Sequence, residues 1–364
     1  MKINILSPGR FHVLDLAREL DKLGHDVRFY SFVPGRRVKK FGFDSKKNSN
    51  CLLLLAPIFV LLKLRLIKSR KVVNGVQDWV TSKIMRKCDV VIAMSGCFCR
   101  TIDKAKKDGA IIIVERGSKH ILEQKRILES ITSNKIIVPQ KNIDDELHDY
   151  HEADYISIAA KHVKKSFIER GFDSNRLFVN PYGVELKDFK PMDIPKQYDV
   201  IMTGNWCMQK GCDILAKACS NLNLKLLHVG VVSNDCKLPD DVNFTHVDKV
   251  DQKELCKYYN MAKVFGLASR QEGMALVQMQ AIACGLPIVC SPNTGGVDIG
   301  NVAPVADRIF EMRNMSVEAL EEALRQALQF AEHHNYNVPD LSGLSWSSYG
   351  KRYDTFLSAV IKNG

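Results

Sequence analysis

No two cysteines in this 364-residue chain are spaced as Cys-x-x-Cys, although it holds eleven of them. Zinc knuckles and thioredoxin-like redox motifs are excluded on that ground, and Cys97-Phe-Cys99 is too tight for the usual knuckle. The cysteines are scattered, odd in number and partly set in apolar runs, which reads as free thiols in a reducing compartment. Long apolar runs are missing too. The longest, residues 51–62, is too short to cross a bilayer. Residues 1–7 run straight into a strand pattern, so no signal peptide is expected. Aromatics are sparse among the cations: residues 34–71 offer only Phe41, Phe43 and Phe59. A single-strand nucleic-acid surface wants rings interleaved with basic residues, so a nucleic-acid partner is not expected.

What is present is a lopsided positive charge. Residues 1–100 hold 20 Lys and Arg against 7 Asp and Glu, a net +13, which leaves −2 for the remainder. One half of the molecule therefore faces an anionic partner. Its densest cluster, Arg36, Arg37, Lys39, Lys40, Lys46 and Lys47, reads as a basic loop. The apolar residues 51–71 behind it, mixed with Lys63, Arg65, Lys68, Arg70 and Lys71, read either as an interfacial amphipathic helix or as a buried helix with a cationic face.

The chain is organised around residues 270–291, RQEGMALVQMQAIACGLPIVCS. An apolar strand over 264–268 leads into Glu272-Gly273. Leu276, Met279, Ala283 and Cys284 then recur at helical spacing. Gly285 and Pro287 stop that helix, and Ile288 starts another strand. Gly273 permits the turn, and a Glu-Gly pair at the carboxyl end of a strand sits where open α/β sheets bind ligands. The free N–H groups of the following helix suit an anion.

This stretch resembles the donor-binding signature of retaining glycosyltransferases of the GT-B architecture, family 4 type: Glu, seven residues, Glu, then Gly-x-Pro. Glu272 takes the first place, but Gln280 stands where the second Glu belongs. A Gln oxygen still accepts from a ribose hydroxyl, without charge. The resemblance continues through Asn180-Pro181-Tyr182-Gly183-Val184, through Thr294-Gly295-Gly296, and through Thr203-Gly204-Asn205 followed by Lys210-Gly211. In that last segment Asn205 replaces the usual Arg, so one diphosphate cation is missing; Arg10, Arg116 or Arg270 would supply it. The first strand, residues 2–7, ends in Gly9-Arg10 rather than paired glycines. Another, over 110–114, ends in Glu115-Arg116-Gly117-Ser118, with His120 close behind. The resemblance implies two doubly wound Rossmann-like domains facing a cleft. The acceptor-side domain takes residues 1–190, the donor-binding domain 196–344, and the last helix, within 345–364, crosses back onto the first.

The activity so implied is retaining transfer from a nucleotide-sugar donor to a saccharide acceptor. Lys210 and helix N–H groups would stabilise charge on the leaving diphosphate. Glu272 would hold the donor sugar, with His120 near the reacting centre. Gly273, Met274, Ala275 and Leu276 would supply backbone donors, and Val250 a contact to the base. No Asp-x-Asp closes an apolar strand; Asp144-Asp145 and Asp240-Asp241 read as solvated turns, so no metal and no cofactor beyond the donor are expected. The basic half suits a lipid-linked acceptor in surface polysaccharide assembly, with the protein peripheral at the cytoplasmic face of an anionic membrane. A GT-B nucleotide-sugar epimerase is the rival within the fold, and a non-catalytic nucleic-acid-binding Rossmann pair the rival outside it.

Overall fold

The computed structural model describes residues 1–50, 70–131, 138–333 and 340–363. Most of the apolar segment 51–71 therefore lies outside the described residues. The first sheet is built from β1 (Lys2–Leu6), β2 (Asp26–Ser31), β3 (Asn48–Asn50), β4 (Val90–Met94), β5 (Ile111–Arg116), β6 (Tyr155–Ile158) and β7 (Leu177–Val179). The second comprises β8 (Tyr198–Thr203), β9 (Leu226–Val229), β10 (Phe244–Val247), β11 (Ala262–Leu267), β12 (Ile288–Cys290) and β13 (Ile309–Glu311). The strand orders are β3-β2-β1-β4-β5-β6-β7 and β10-β9-β8-β11-β12-β13. Pairing is parallel throughout, as in Ile3↔Val27 and Ile3↔Val90.

Parallel strands covered on both faces must be apolar along their whole length rather than alternating. β4 (VVIAM) is so, β11 (AKVFGL) is interrupted only by Lys263, which pairs with Asp199 at 2.8 Å, and Val90–Ala93 and Val264–Leu267 are buried. The covering helices are α1 (Phe11–Lys22), α2 (Gly35–Lys40), α3 (Arg70–Ile84), α4 (Cys99–Lys107), α5 (Ile121–Ile131), α6 (Gln140–Glu152) and α7 (Lys161–Ile168) in the first half. The second half has α8 (Cys212–Asn221), α9 (Gln252–Asn260), α10 (Leu276–Ala283) and α11 (Val317–His333), before α12 (Trp346–Asn363). Two readings change here. Residues 34–50 are not a loop: Pro34 caps α2, and β3 adds a strand to the sheet edge. Asp144 and Asp145 lie on α6 rather than in a turn, where Lys141 pairs with Asp145 at 2.9 Å. Their polar neighbours hid a helix whose buried face is only Ile143, Glu146, Asp149 and Tyr150.

α12 returns to the first half and packs along α1. Its Tyr349, Tyr353 and Leu357 are buried, and Gly350 lies so close to Glu19 that a Cβ would stand 2.5 Å from it. The buried carboxylate of Glu115 ties this seam together: Tyr353 Oη donates to Oε1 at 2.7 Å, and His12 Nε2 sits 2.9 Å from Oε2. A buried carboxylate costs several kcal/mol if left alone, so both partners are needed. Among the described residues, no helix is long and apolar enough to cross a membrane.

Candidate functional site between the two sheets

Each sheet reverses its strand order once, between β1 and β4 and between β8 and β11. At such a switch point the loops leaving two adjacent strands diverge and open a crevice. In the second sheet those loops carry Lys210 and Glu272, and the Lys210 ammonium is ion-paired to Glu272 Oε1. Ser269 Oγ donates to the same oxygen at 3.0 Å. The two side chains keep 22% and 15% of their surface. The pair is thus largely buried yet still reachable from the crevice. Gly211, next to Lys210, has φ +68°, and a Cβ there would lie 1.9 Å from the Ala268 carbonyl oxygen. Only glycine lets the two loops approach this closely.

The first sheet closes over this point. A Cβ on Gly273 would stand 2.1 Å from the Gly117 carbonyl oxygen. Gln271 Nε2 donates to Ser118 Oγ, and Lys119 Nζ donates to Asn293 Oδ1 at 2.8 Å. His162 Nε2 lies 3.1 Å from the Glu272 carbonyl oxygen; burial pushes this imidazole down to about 4, so it is neutral and donates. Ser118 was readable at its strand end, but Gln271, His162 and Asn293 escaped sequence reading because each is a common polar residue whose partner lies on the other sheet.

A cleft of roughly 1690 Å³ runs from the chain crossings at Val184 and Ser345 to the loop at Lys249 and Val250. On the wall formed by the second sheet lie Gly204, Asn205, Gly230 and Val250, and Asn205 Oδ1 accepts from Ser233 Oγ at 2.9 Å. The facing wall carries Arg10, Arg36, Arg37 and Lys40. Arg10 follows Gly9 at the end of β1, lies 3.5 Å over the Phe41 ring and is 3.7 Å from Asp15. Met274 and Ala275 are buried just before α10, Leu276 opens that helix, and Val277 reaches the cleft.

Four expected residues are placed elsewhere. His120 is buried among Tyr150, Phe167 and Phe172, with Nδ1 accepting from the Leu122 N–H at 3.3 Å. Burial, then Arg170 and Arg116, lower its pKa to about 4; it is a neutral core side chain and does not line the cleft. Arg116 is buried, bonded to Glu146 at 2.7 Å and to the Lys119 carbonyl oxygen. Arg270 is bidentate to Asp213, both contacts 2.7 Å. Of the three arginines considered for the missing diphosphate cation, Arg10 alone lines the cleft. Gln280, expected at the ribose, has its Oε1 accepting from Tyr259 Oη at 3.1 Å instead, and that hydroxyl also bonds Thr203 at 2.7 Å.

Two doubly wound parallel sheets facing a cleft, with the last helix returned to the first sheet, constitute the GT-B fold. Residues 197–329 match the family described as Glycosyl transferases group 1. A D-inositol 3-phosphate glycosyltransferase from Paenarthrobacter aurescens is 28% identical over 155 residues, 35% of this chain and 37% of that relative, so the match spans little more than a third of either protein. Among solved structures, Anabaena HepE in complex with UDP-glucose superposes with a TM-score of 0.67 at 12% identity, covering 99% of this chain and all of that one. A UDP-GlcNAc 2-epimerase from Methanocaldococcus jannaschii shares the fold at a TM-score of 0.56 and 12% identity, covering 99% of this chain and 100% of that one.

Proposed function

We propose that the protein is a retaining glycosyltransferase of the family 4 type, transferring a glycosyl group from a nucleotide-sugar donor to a saccharide acceptor. The observation that carries this reading is the Lys210–Glu272 pair at the switch point of the second sheet. As they stand the two charges satisfy each other, outside the lining of the cleft. A donor would separate them: Lys210 turns to the diphosphate, and Glu272 accepts from the sugar hydroxyls that its pairing now blocks. Arg10 approaches from the opposite wall as the second diphosphate cation, in place of the Arg that Asn205 displaces. The reaction needs no metal in this scheme, because lysine, arginine and helix N–H groups cover the leaving charge.

The acceptor belongs on the basic first half. We read it as lipid-linked, met at the inner face of an anionic membrane during surface polysaccharide assembly. The likeness to an epimerase keeps one rival open, since an epimerase uses the same donor without an acceptor. Incubation with a panel of nucleotide sugars separates the two. A retaining transferase leaves the sugar's configuration unchanged and moves the sugar only once an acceptor is added; conversion to an epimer by the protein alone overturns the assignment. Melting-temperature shifts with the same panel identify the base, because a ligand that binds only the folded state raises apparent stability.

A further inference from the structure

Away from the cleft, α4 and α6 bring three metal-ligand types together. Cys99 Sγ, an imidazole nitrogen of His148 and a carboxylate oxygen of Asp149 all lie within 4.8 Å of one another. Asp149 is buried, and Cys99 and His148 keep partial access to solvent. His148 Nδ1 and Asp149 Oδ1 are 3.3 Å apart. Tetrahedral zinc, with bonds of about 2.0–2.1 Å to nitrogen and oxygen, sets its ligand atoms about 3.3 Å apart.

The surroundings orient the same three atoms. His148 Nε2 stands 3.0 Å from Asp103 Oδ1, which orients the ring, while Nδ1 faces Asp149 Oδ1, so an ion held there takes the place of any Nδ1 proton. Asp149 Oδ2 accepts from the Gly96 N–H at 2.7 Å, leaving Oδ1 toward His148. Cys99 is the first residue of α4, whose next two N–H groups, those of Arg100 and Thr101, already donate to the Asp78 carboxylate at 3.0 Å, so a metal ion has to displace the thiol proton itself. On the same turn of α6, Glu146 packs against Gly96, and its buried Oε2 has no hydrogen-bond partner.

We propose that Cys99, His148 and Asp149 form a Zn²⁺ site, with water in the fourth position and Asp103 as the carboxylate that orients His148. A thiolate and an imidazole together select a borderline-soft ion over Mg²⁺ or Ca²⁺. The ion joins the start of α4 to the end of α6, adding to the Asp103–His148 pair, the bond from the Gly96 N–H to Asp149 and Cys99 Sγ, 3.6 Å from the Asp145 carbonyl oxygen. Binding displaces the thiol proton and any proton on His148 Nδ1, so affinity falls as pH is lowered. The inference is independent of the proposed transferase activity.

The test uses the full-length, metal-stripped protein and Co²⁺ as the probe, followed by Zn²⁺. One equivalent of Co²⁺ should produce near-ultraviolet thiolate-to-cobalt absorption, which Zn²⁺ then abolishes. Cys99→Ser should lose the band. His148→Gln, a second variant should the first fail to fold, should bind at least tenfold more weakly, and Asp103→Asn about 10–100-fold more weakly. Zn²⁺ should raise the melting temperature of the wild type and leave folded Cys99→Ser unchanged. Absence of the band in the wild type, or a band that survives in both Cys99→Ser and His148→Gln, overturns the site.

Discussion

At the scale of single residues, Lys210 and Glu272 are expected to carry the reaction. Lys210→Ala and Glu272→Ala should each reduce kcat/KM at least 100-fold, about 2.7 kcal/mol of transition-state stabilisation, with melting temperature nearly unchanged. Turnover within tenfold of wild type defeats the assignment. His120 is expected to behave oppositely. His120→Phe fits an aromatic cage but loses the bond from the Leu122 N–H. Stability should fall by about 1–2 kcal/mol in urea denaturation, while turnover stays within twofold. The protein's acid limb follows from the same chemistry. His120, His162 and His228 are each held neutral, with pKa lowered to about 4 chiefly by burial. The unfolded chain takes up their protons near pH 6.5 while the folded one does not. Stability from these groups is therefore complete above pH 6.5 and drains away as pH falls toward 4. A melting temperature that is flat across this window contradicts their neutral burial.

Elements were far more legible than side-chain geometry. The strands over 2–7, 198–204 and 288–290 were readable because unbroken apolar runs are bounded by Gly, Pro or charged turns. β3 and α2 were hidden: Asn48-Ser49-Asn50 has no strand composition, and a six-residue helix of five bulky residues and one glycine shows no period. In the site, Glu272, Lys210 and Gly211 were readable because they sit at strand ends in a recurring pattern. His120 and Arg116 misled for the same reason, since a strand-end position does not say whether a side chain turns to the cleft or back under the sheet. Burial decided that, through Glu146 and the ring cluster. The loop contact at Gly211 gives an element-scale prediction. Gly211→Ala must either accept strain at φ +68° or push Ala268 away. It should cost at least about 2 kcal/mol, or move Lys210 off Glu272 and lower donor affinity. A variant as stable and as active as wild type removes the argument.

For the molecule as a whole, charge and fold point the same way, since the first hundred residues hold a net +13. Each Lys or Arg near an anionic bilayer contributes about 1 kcal/mol, so a handful can hold the protein at a surface. Co-sedimentation should show binding to anionic vesicles, little to neutral ones, and release as salt rises. Replacing Arg36, Arg37, Lys39 and Lys40 with Ser should weaken binding to anionic vesicles. Equal binding to both vesicle types, or none at low salt, removes the membrane reading. The chain passes between the halves twice, and at the second passage the two runs are zipped side by side: Val184 bridges Ser345, and a Cβ on Gly183 would stand 2.6 Å from Trp346 Cα. Two ropes lashed together resist twisting and sliding and leave one soft direction, like the spine of a book. The covers part at the fore-edge, where Gly117 meets Gly273. In the transferase proposed above, a donor would enter across that edge, and closing would bring its sugar beside Glu272.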